Sequence, residues 1–197
     1  MNKRIFFFIL SFFCLCPIFA QHLWYEVKSG VICSKVNAGG VILQQKEIFD
    51  EWGNQIVIES VMGVDEHALM TRTIYGDKFM TMVKPESGEA IRYPRVRPRI
   101  NWLHLDELTE KEYNIRYLGR VKLKEYSCDL YKYTIKDNGR DQEVTNWVYK
   151  GVPLQYITVN NGIVMEQEFI SFDENPQLDK TVFDIPSNIE IKEQAHL

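Results

Sequence analysis

The residues able to do chemistry are few and scattered. The four histidines, His22, His67, His104 and His196, fall at the two ends, in an Asp-Glu-His turn and on a helical stretch. None has the His-x-His or HExxH spacing that brings two imidazoles onto one zinc ion. Ser29-Gly30 and Ser87-Gly88 are turn-like and lack the GxSxG elbow that presents a serine hydroxyl to a base. Asp106, Glu107, Glu110 and Glu112 crowd one short segment, which reads as the solvated face of a helix. The sequence thus offers no catalytic constellation, no metal site and no cofactor motif.

Two features invite binding instead. Arg92, Arg95, Arg97 and Arg99 concentrate positive charge within and beside YPRVRPRI. Guanidinium forks match phosphate and carboxylate oxygens, so one reading is a mouth for an anionic head group. The other is a basic loop paired with the acidic helix that follows. The apolar set Met62, Leu69, Met80, Met82, Trp102, Leu105, Leu108, Met165 and Phe169 could line a ligand cavity, since methionine adapts to flexible ligands. Equally, it could fill a dry core.

The amino terminus carries an address. Lys3 and Arg4 precede an uncharged apolar run, Ile5 to Cys16, and Ala20 stands before Gln21 as the expected cut. This is the layout of a secretory signal peptide over residues 1–20. The apolar run is short for a bilayer span of about 20 residues. Cys14 and Cys16 raise lipid attachment as an alternative, but Phe13 and Leu15 stand where lipoprotein processing wants small residues. The expected product is one domain, residues 21–197, exported across the inner membrane to the periplasm, with the cell surface or medium as alternatives. It has no further segment able to span a membrane.

Loss of Lys3 and Arg4 takes the net charge from −4 to −6. A mildly acidic domain has no broad electrostatic footprint for nucleic acid. The exported part relies on Tyr, Val, Ile and Trp, which favour strands. Its two cysteines, Cys33 and Cys128, permit a disulfide in an oxidising compartment. They equally permit two buried thiols that never meet.

The elements that must position these residues are strands. Glu143 to Phe172 reads as three strands broken at Gly151-Val152-Pro153 and at Asn160-Asn161-Gly162, the second break a hairpin signal. Further strands are expected over Leu23–Lys35, Val41–Phe49, Gln55–Met62, Leu69–Tyr75, Phe79–Lys84, Ala90–Tyr93, Ile115–Tyr126 and Cys128–Ile135. A helix is expected over Asn101–Tyr113, with Trp102, Leu105 and Leu108 on one face and a capping box at Thr109–Glu112. Phe183 and Ile185 should tuck into the body. The fold class is mainly β: a large curved antiparallel sheet, a half-barrel of about ten strands, under a short helical lid.

This order of elements resembles the lipoprotein-carrier superfamily, which includes the outer-membrane lipoprotein carriers and secreted relatives of the Bacteroides type. The residues carrying the resemblance are Tyr25 to Gly30, Phe49 to Asn54, Trp147 to Leu154 and Val182 to Pro186. The likeness implies a half-barrel around a hydrophobic cavity, and a binding protein, not an enzyme, that holds a lipid or acyl chain. A cell-envelope scaffold with a filled core and a protein partner is the competing reading.

Overall fold

The computed structural model describes residues 23–63, 68–76, 78–95, 99–137, 139–160 and 162–194. The leader, His22, His67, Arg97, His196 and the turn residues Asp77, Asn138 and Asn161 lie outside them.

Among the described residues, twelve strands form one open, curved sheet that does not close into a barrel. They are β1 (Gly30–Ala38), β2 (Val41–Asp50), β3 (Gln55–Met62), β4 (Leu69–Tyr75), β5 (Phe79–Lys84), β6 (Glu89–Pro94), β7 (Arg116–Leu123), β8 (Tyr126–Asp137), β9 (Arg140–Tyr149), β10 (Val152–Asn160), β11 (Ile163–Glu174) and β12 (Glu190–Glu193). Their order across the sheet is β12-β6-β5-β4-β3-β2-β1-β11-β10-β9-β8-β7. Two antiparallel meanders therefore meet at the β1–β11 pair. There distant sequence must find its partner, from Gly30↔Glu174 to Ala38↔Met165, with one register shift between Cys33 and Ser34. The other long-range pairing is parallel and joins β12 to β6.

Local signals explain most strand ends. Gly39 and Gly40 adopt positive φ, and the Asn37 side chain accepts the Gly40 N–H at 3.1 Å, closing the β1–β2 turn. After β2 the chain makes a single 3-10 turn, Glu51–Gly53, with Gly53 at φ +84°.

Three expectations need correction. Residues 23–29 do not form a strand; Trp24 and Tyr25 donate their N–H groups to the Trp52 carbonyl, and Glu26 donates to Lys150. That segment is tied down by loops instead of a ladder, and strand pairing begins at Gly30. The helix, α1, spans only Glu107–Tyr113, because Asp106 takes the N-cap and accepts from the Thr109 N–H at 2.9 Å. An aspartate side chain at the N-cap satisfies an orphan donor, so the helix starts later than the apolar spacing suggests. The third concerns the carboxyl end, which adds the unforeseen strand β12.

Strand alternation divides the sheet into an inner face, carrying Phe49 and Ile58, and an outer face, carrying Ile48 and Val57. On the outer face of β2–β6, Ile48, Val57, Val83 and Ala90 are buried. The carboxyl-terminal segment covers part of this face: its 3-10 turn, Lys180–Phe183, packs on β3, and Phe183 and Ile185 are half-buried. Lys180 Nζ donates to the buried carboxylate of Asp50. Burial alone pulls the Asp50 carboxyl upward, but Lys180 and the Glu51 N–H outweigh it and hold the group below its ordinary 3.8. A depressed carboxyl contributes stability above its unfolded pKa that is lost as pH falls through the folded value. Lys180→Ala should therefore cost about 1–3 kcal/mol near neutral pH. It should also speed limited proteolysis within residues 176–189; an unchanged cleavage rate would show that Asp50 does not fasten this segment.

Cys33 and Cys128 are free thiols and do not form the disulfide that the compartment would allow. They sit on β1 and β8, with β11, β10 and β9 between them in the sheet. Cys128 is fully buried in the core, where burial pushes its thiol up to about 11.

Candidate functional site

The inner face of β2–β6 is half-open. Ile58, Tyr75, Met80, Met82 and Ile91 are all partly exposed there, in contrast to the buried outer row on the same strands. Their adjacency follows from register: Tyr75 pairs with Met80, and Met82 lies between Thr73 and Ile91. Period-two alternation sends this row inward because Val57, Thr81, Val83 and Ala90 are claimed by the other face.

One carboxylate lies beside this row, on the same face. Glu47 is enclosed by protein yet keeps part of its own surface free, as a group lining a recess does. Burial pushes its carboxyl up to about 7 against the opposing pull of Arg99 and of a Tyr25 hydroxyl hydrogen bond. Its charge is felt in turn by Tyr25, Tyr75 and Tyr156, whose hydroxyls are raised first by burial and then by Glu47. The inner surface is therefore not wholly apolar, contrary to the sequence expectation. Further along it, Gln45 is half-buried, and Ser34, Gln142, Thr158 and Gln167 are buried. Asn146 is also buried there, with no partner on its Oδ1 among the described residues. A buried acceptor left without a donor is uncommon and marks a place where a partner is wanted.

The sequence-derived cavity set divides. Met80 and Met82 face the recess, and Met165, which pairs with Ala38 and Thr158, is half-buried on the same face. Met62 and Leu69 pair with each other at the sheet's end and are exposed. Phe169 is core, its ring edge-on to Tyr126 at 5.5 Å. Trp102 is buried on the opposite wing, stacked 4.9 Å from Tyr131 and 5.3 Å from Tyr133. Leu105 is half-buried outside the helix, and Leu108 is 80% exposed, so Leu108 lines no enclosed space. The helix itself packs on β8.

The arginines do not converge on one mouth. Arg92 pairs with Glu193 of β12 at 3.1 Å, and Arg95 donates to the Gly76 carbonyl at 3.3 Å. Arg99 donates to the Gly53 carbonyl and lies 4.5 and 4.6 Å from the rings of Trp24 and Tyr25. Nor do Arg92, Arg95 and Arg99 pair with the acidic helix in these contacts; Arg99 answers Glu47, a residue the sequence reading passed over. The available signal was its place in the alternation Leu43, Gln45, Glu47, Phe49, which puts a carboxylate on the face that ends in a core phenylalanine.

A recess of about 240 Å³ lies on the far wing, lined by Trp102, Leu103, Arg120, Asp129, Tyr131 and Lys150 among others. Both of its cations are paired: Arg120 grips Asp129 at 2.9 and 3.2 Å, and Lys150 meets Glu174 at 2.9 Å. His104 is exposed. Among the described residues no three metal-ligating side chains cluster, and no helix is long and apolar enough to cross a membrane.

No family model matches the chain, and no curated protein does. Solved structures do. An uncharacterized conserved protein from Thermus thermophilus superposes with a TM-score of 0.57 at 10% identity, covering 86% of this chain and 92% of that one. MucB in complex with MucA(peri) follows at TM-score 0.49 and 10% identity; 83% of this chain is covered but only 56% of MucB, so the chain spans little more than half of it. A domain from Vibrio parahaemolyticus, described as a putative outer membrane lipoprotein-sorting protein domain, matches at TM-score 0.37 and 11% identity over 82% of this chain and 90% of that one. The chain thus shares the fold of the Thermus protein.

Proposed function

We propose that the protein is a non-catalytic binding protein of the cell envelope. It holds a lipid or acyl chain against the inner face of β2–β6. The observation that carries this reading is the half-exposed row Ile58, Tyr75, Met80, Met82 and Ile91 on strands whose other face is buried. Apolar surface left open on a concave wall, with adaptable methionines and a few polar groups, is the usual make-up of a small-molecule site. Glu47 favours an amphiphile over a pure hydrocarbon, since its carboxyl is a polar group on the recess wall that a hydroxyl, amide or protonated head group would satisfy. In this reading residues 1–20 are removed as a signal peptide and residues 21–197 act as one domain in the periplasm.

Native mass spectrometry of the protein recovered from the envelope, followed by organic extraction, tests this. The expected result is a solvent-releasable adduct identified as a lipid. Met82→Asp, which puts a carboxylate on the recess wall, should lower its retention about tenfold or more. Undiminished retention in folded Met82→Asp would move the ligand elsewhere. A bare mass that stays unshifted after incubation with lipid extract would favour a scaffold.

A further inference from the structure

The end of the sheet where β1 turns into β2 and β10 into β11 is apolar on both faces. On the inner side Val41, Met62, Leu69 and Ile163 are 48, 39, 54 and 60% exposed. On the outer side Ile42, Met70, Val159 and Val164 are 49, 38, 42 and 51% exposed. Register makes them one rim across six adjacent strands: Val159 pairs with Val164, Ala38 with both Met165 and Val41, Leu43 with Met62, and Met62 with Leu69. Monomeric proteins seldom leave a contiguous patch of this kind uncovered without a use for it.

Charge is arranged in tiers behind this rim. On these six strands the three residues nearest the rim carry no charge, and the first charges are Lys35, Lys46, Glu59, Arg72 and Glu166; the β3–β4 connection carries Asp65 and Glu66, so the edge uncharged through its turns as well is that of β10, β11, β1 and β2. Part of that tier is internally paired, Glu59 lying 3.9 Å from Lys46 and 3.5 Å from Arg72. Three residues of strand rise span about 10 Å. Interfacial segments bury their apolar faces about 5–10 Å into the boundary between head groups and acyl chains. An uncharged tier of that depth, backed by a tier of mixed charge, complements hydrocarbon beneath head groups. The two-sidedness selects the occupant further: a flat protein partner covers one face of a sheet, whereas a fluid phase surrounds both.

We propose that the β10–β11–β1–β2 part of this rim inserts into the surface of a lipid bilayer, with Lys35 and Lys46 at head-group level. The insertion is shallow and needs no transmembrane segment. It requires no occupied recess, so it stands or falls independently of the ligand reading.

The test is flotation with phosphatidylcholine vesicles of the protein recovered from the envelope, its amino terminus fixed by mass spectrometry. Wild type should float, and Ile42→Glu and Ile163→Glu should each cut the bound fraction about tenfold or more, since a charge in hydrocarbon is costly. Leu108→Glu, on the exposed helix, should float like wild type. Because both rim side chains are solvent-exposed, circular dichroism and melting should stay unchanged. Ile42→Trp should be quenched by lipids brominated along the acyl chain. Three results would overturn the proposal: wild type that stays at the bottom of the gradient, rim variants that float normally, or Ile42→Trp fluorescence untouched by brominated lipid. Concentration-dependent dimers abolished by Ile163→Glu, without vesicle binding, would make a second copy the occupant and also overturn it.

Discussion

Replacing Phe49 with alanine is expected to lower stability by about 3–5 kcal/mol, the range for removing a buried aromatic ring from a core. Phe49 is fully buried, packs edge-on to Tyr25 at 4.7 Å and lies 6.1 Å from Phe172. It also faces Gly30, where an added Cβ would fall 2.5 Å from both the Phe49 and the Phe172 ring. The residue therefore joins the amino-terminal segment, β2 and β11 at the junction of the two meanders. The backbone of Gly30 closes one side of the ring, which limits how far the surroundings can collapse into the gap. Urea denaturation of Phe49→Ala beside Leu108→Ala measures this. Leu108→Ala should stay within about 0.5 kcal/mol of wild type, as an exposed substitution does. A loss under about 1 kcal/mol at Phe49 would mean that the meander junction is not the centre of the core.

Glu47→Gln is expected to change the pH dependence of stability. The carboxyl is raised in the fold from an ordinary 4.5 to about 7, burial being the main cause. A raised carboxyl contributes most below its unfolded pKa, where both states are protonated, and that contribution is lost as pH rises through the folded value. Wild type should therefore lose stability between about pH 4.5 and pH 7, by about 1–3 kcal/mol in total. Glutamine resembles the protonated form and can still accept from Tyr25. Glu47→Gln should melt about 3–8 °C above wild type at pH 8 and close to it at about pH 4.5. Parallel melting curves for the two proteins across that range would show that Arg99 compensates the Glu47 charge fully.

Much of the fold was legible because strands write themselves locally. β3, β4 and β5 run as expected to the residue, since each is an alternating run bounded by Gly, Pro or Asp punctuation. The Asn-Gly break and the three strands around it likewise follow from turn chemistry and alternation. Where the spacing misled, a nearby polar group overrode it: Asp106 capped the helix late, and the Trp52 and Lys150 carbonyls drew residues 24–26 away from a ladder.

The site was less legible. The sequence singled out methionines and arginines by type, and three-dimensional placement sorted them. Met80 and Met82 face the recess, while Phe169 is core and Leu108 stands in water. The arginines close in sequence engage Glu193 on β12, Gly76 in the β4–β5 turn and Gly53 in the β2–β3 turn, three partners far apart in the chain. By itself the sequence determined the strands, their turns and which side chains share a face, because these depend on neighbours within a few residues. Only the tertiary structure decided that β1 pairs with β11, that the carboxyl end covers the outer face, and that Glu47 and the rim are left partly free. Each of those depends on which distant segment wins a surface, and period-two alternation carries no information about the winner.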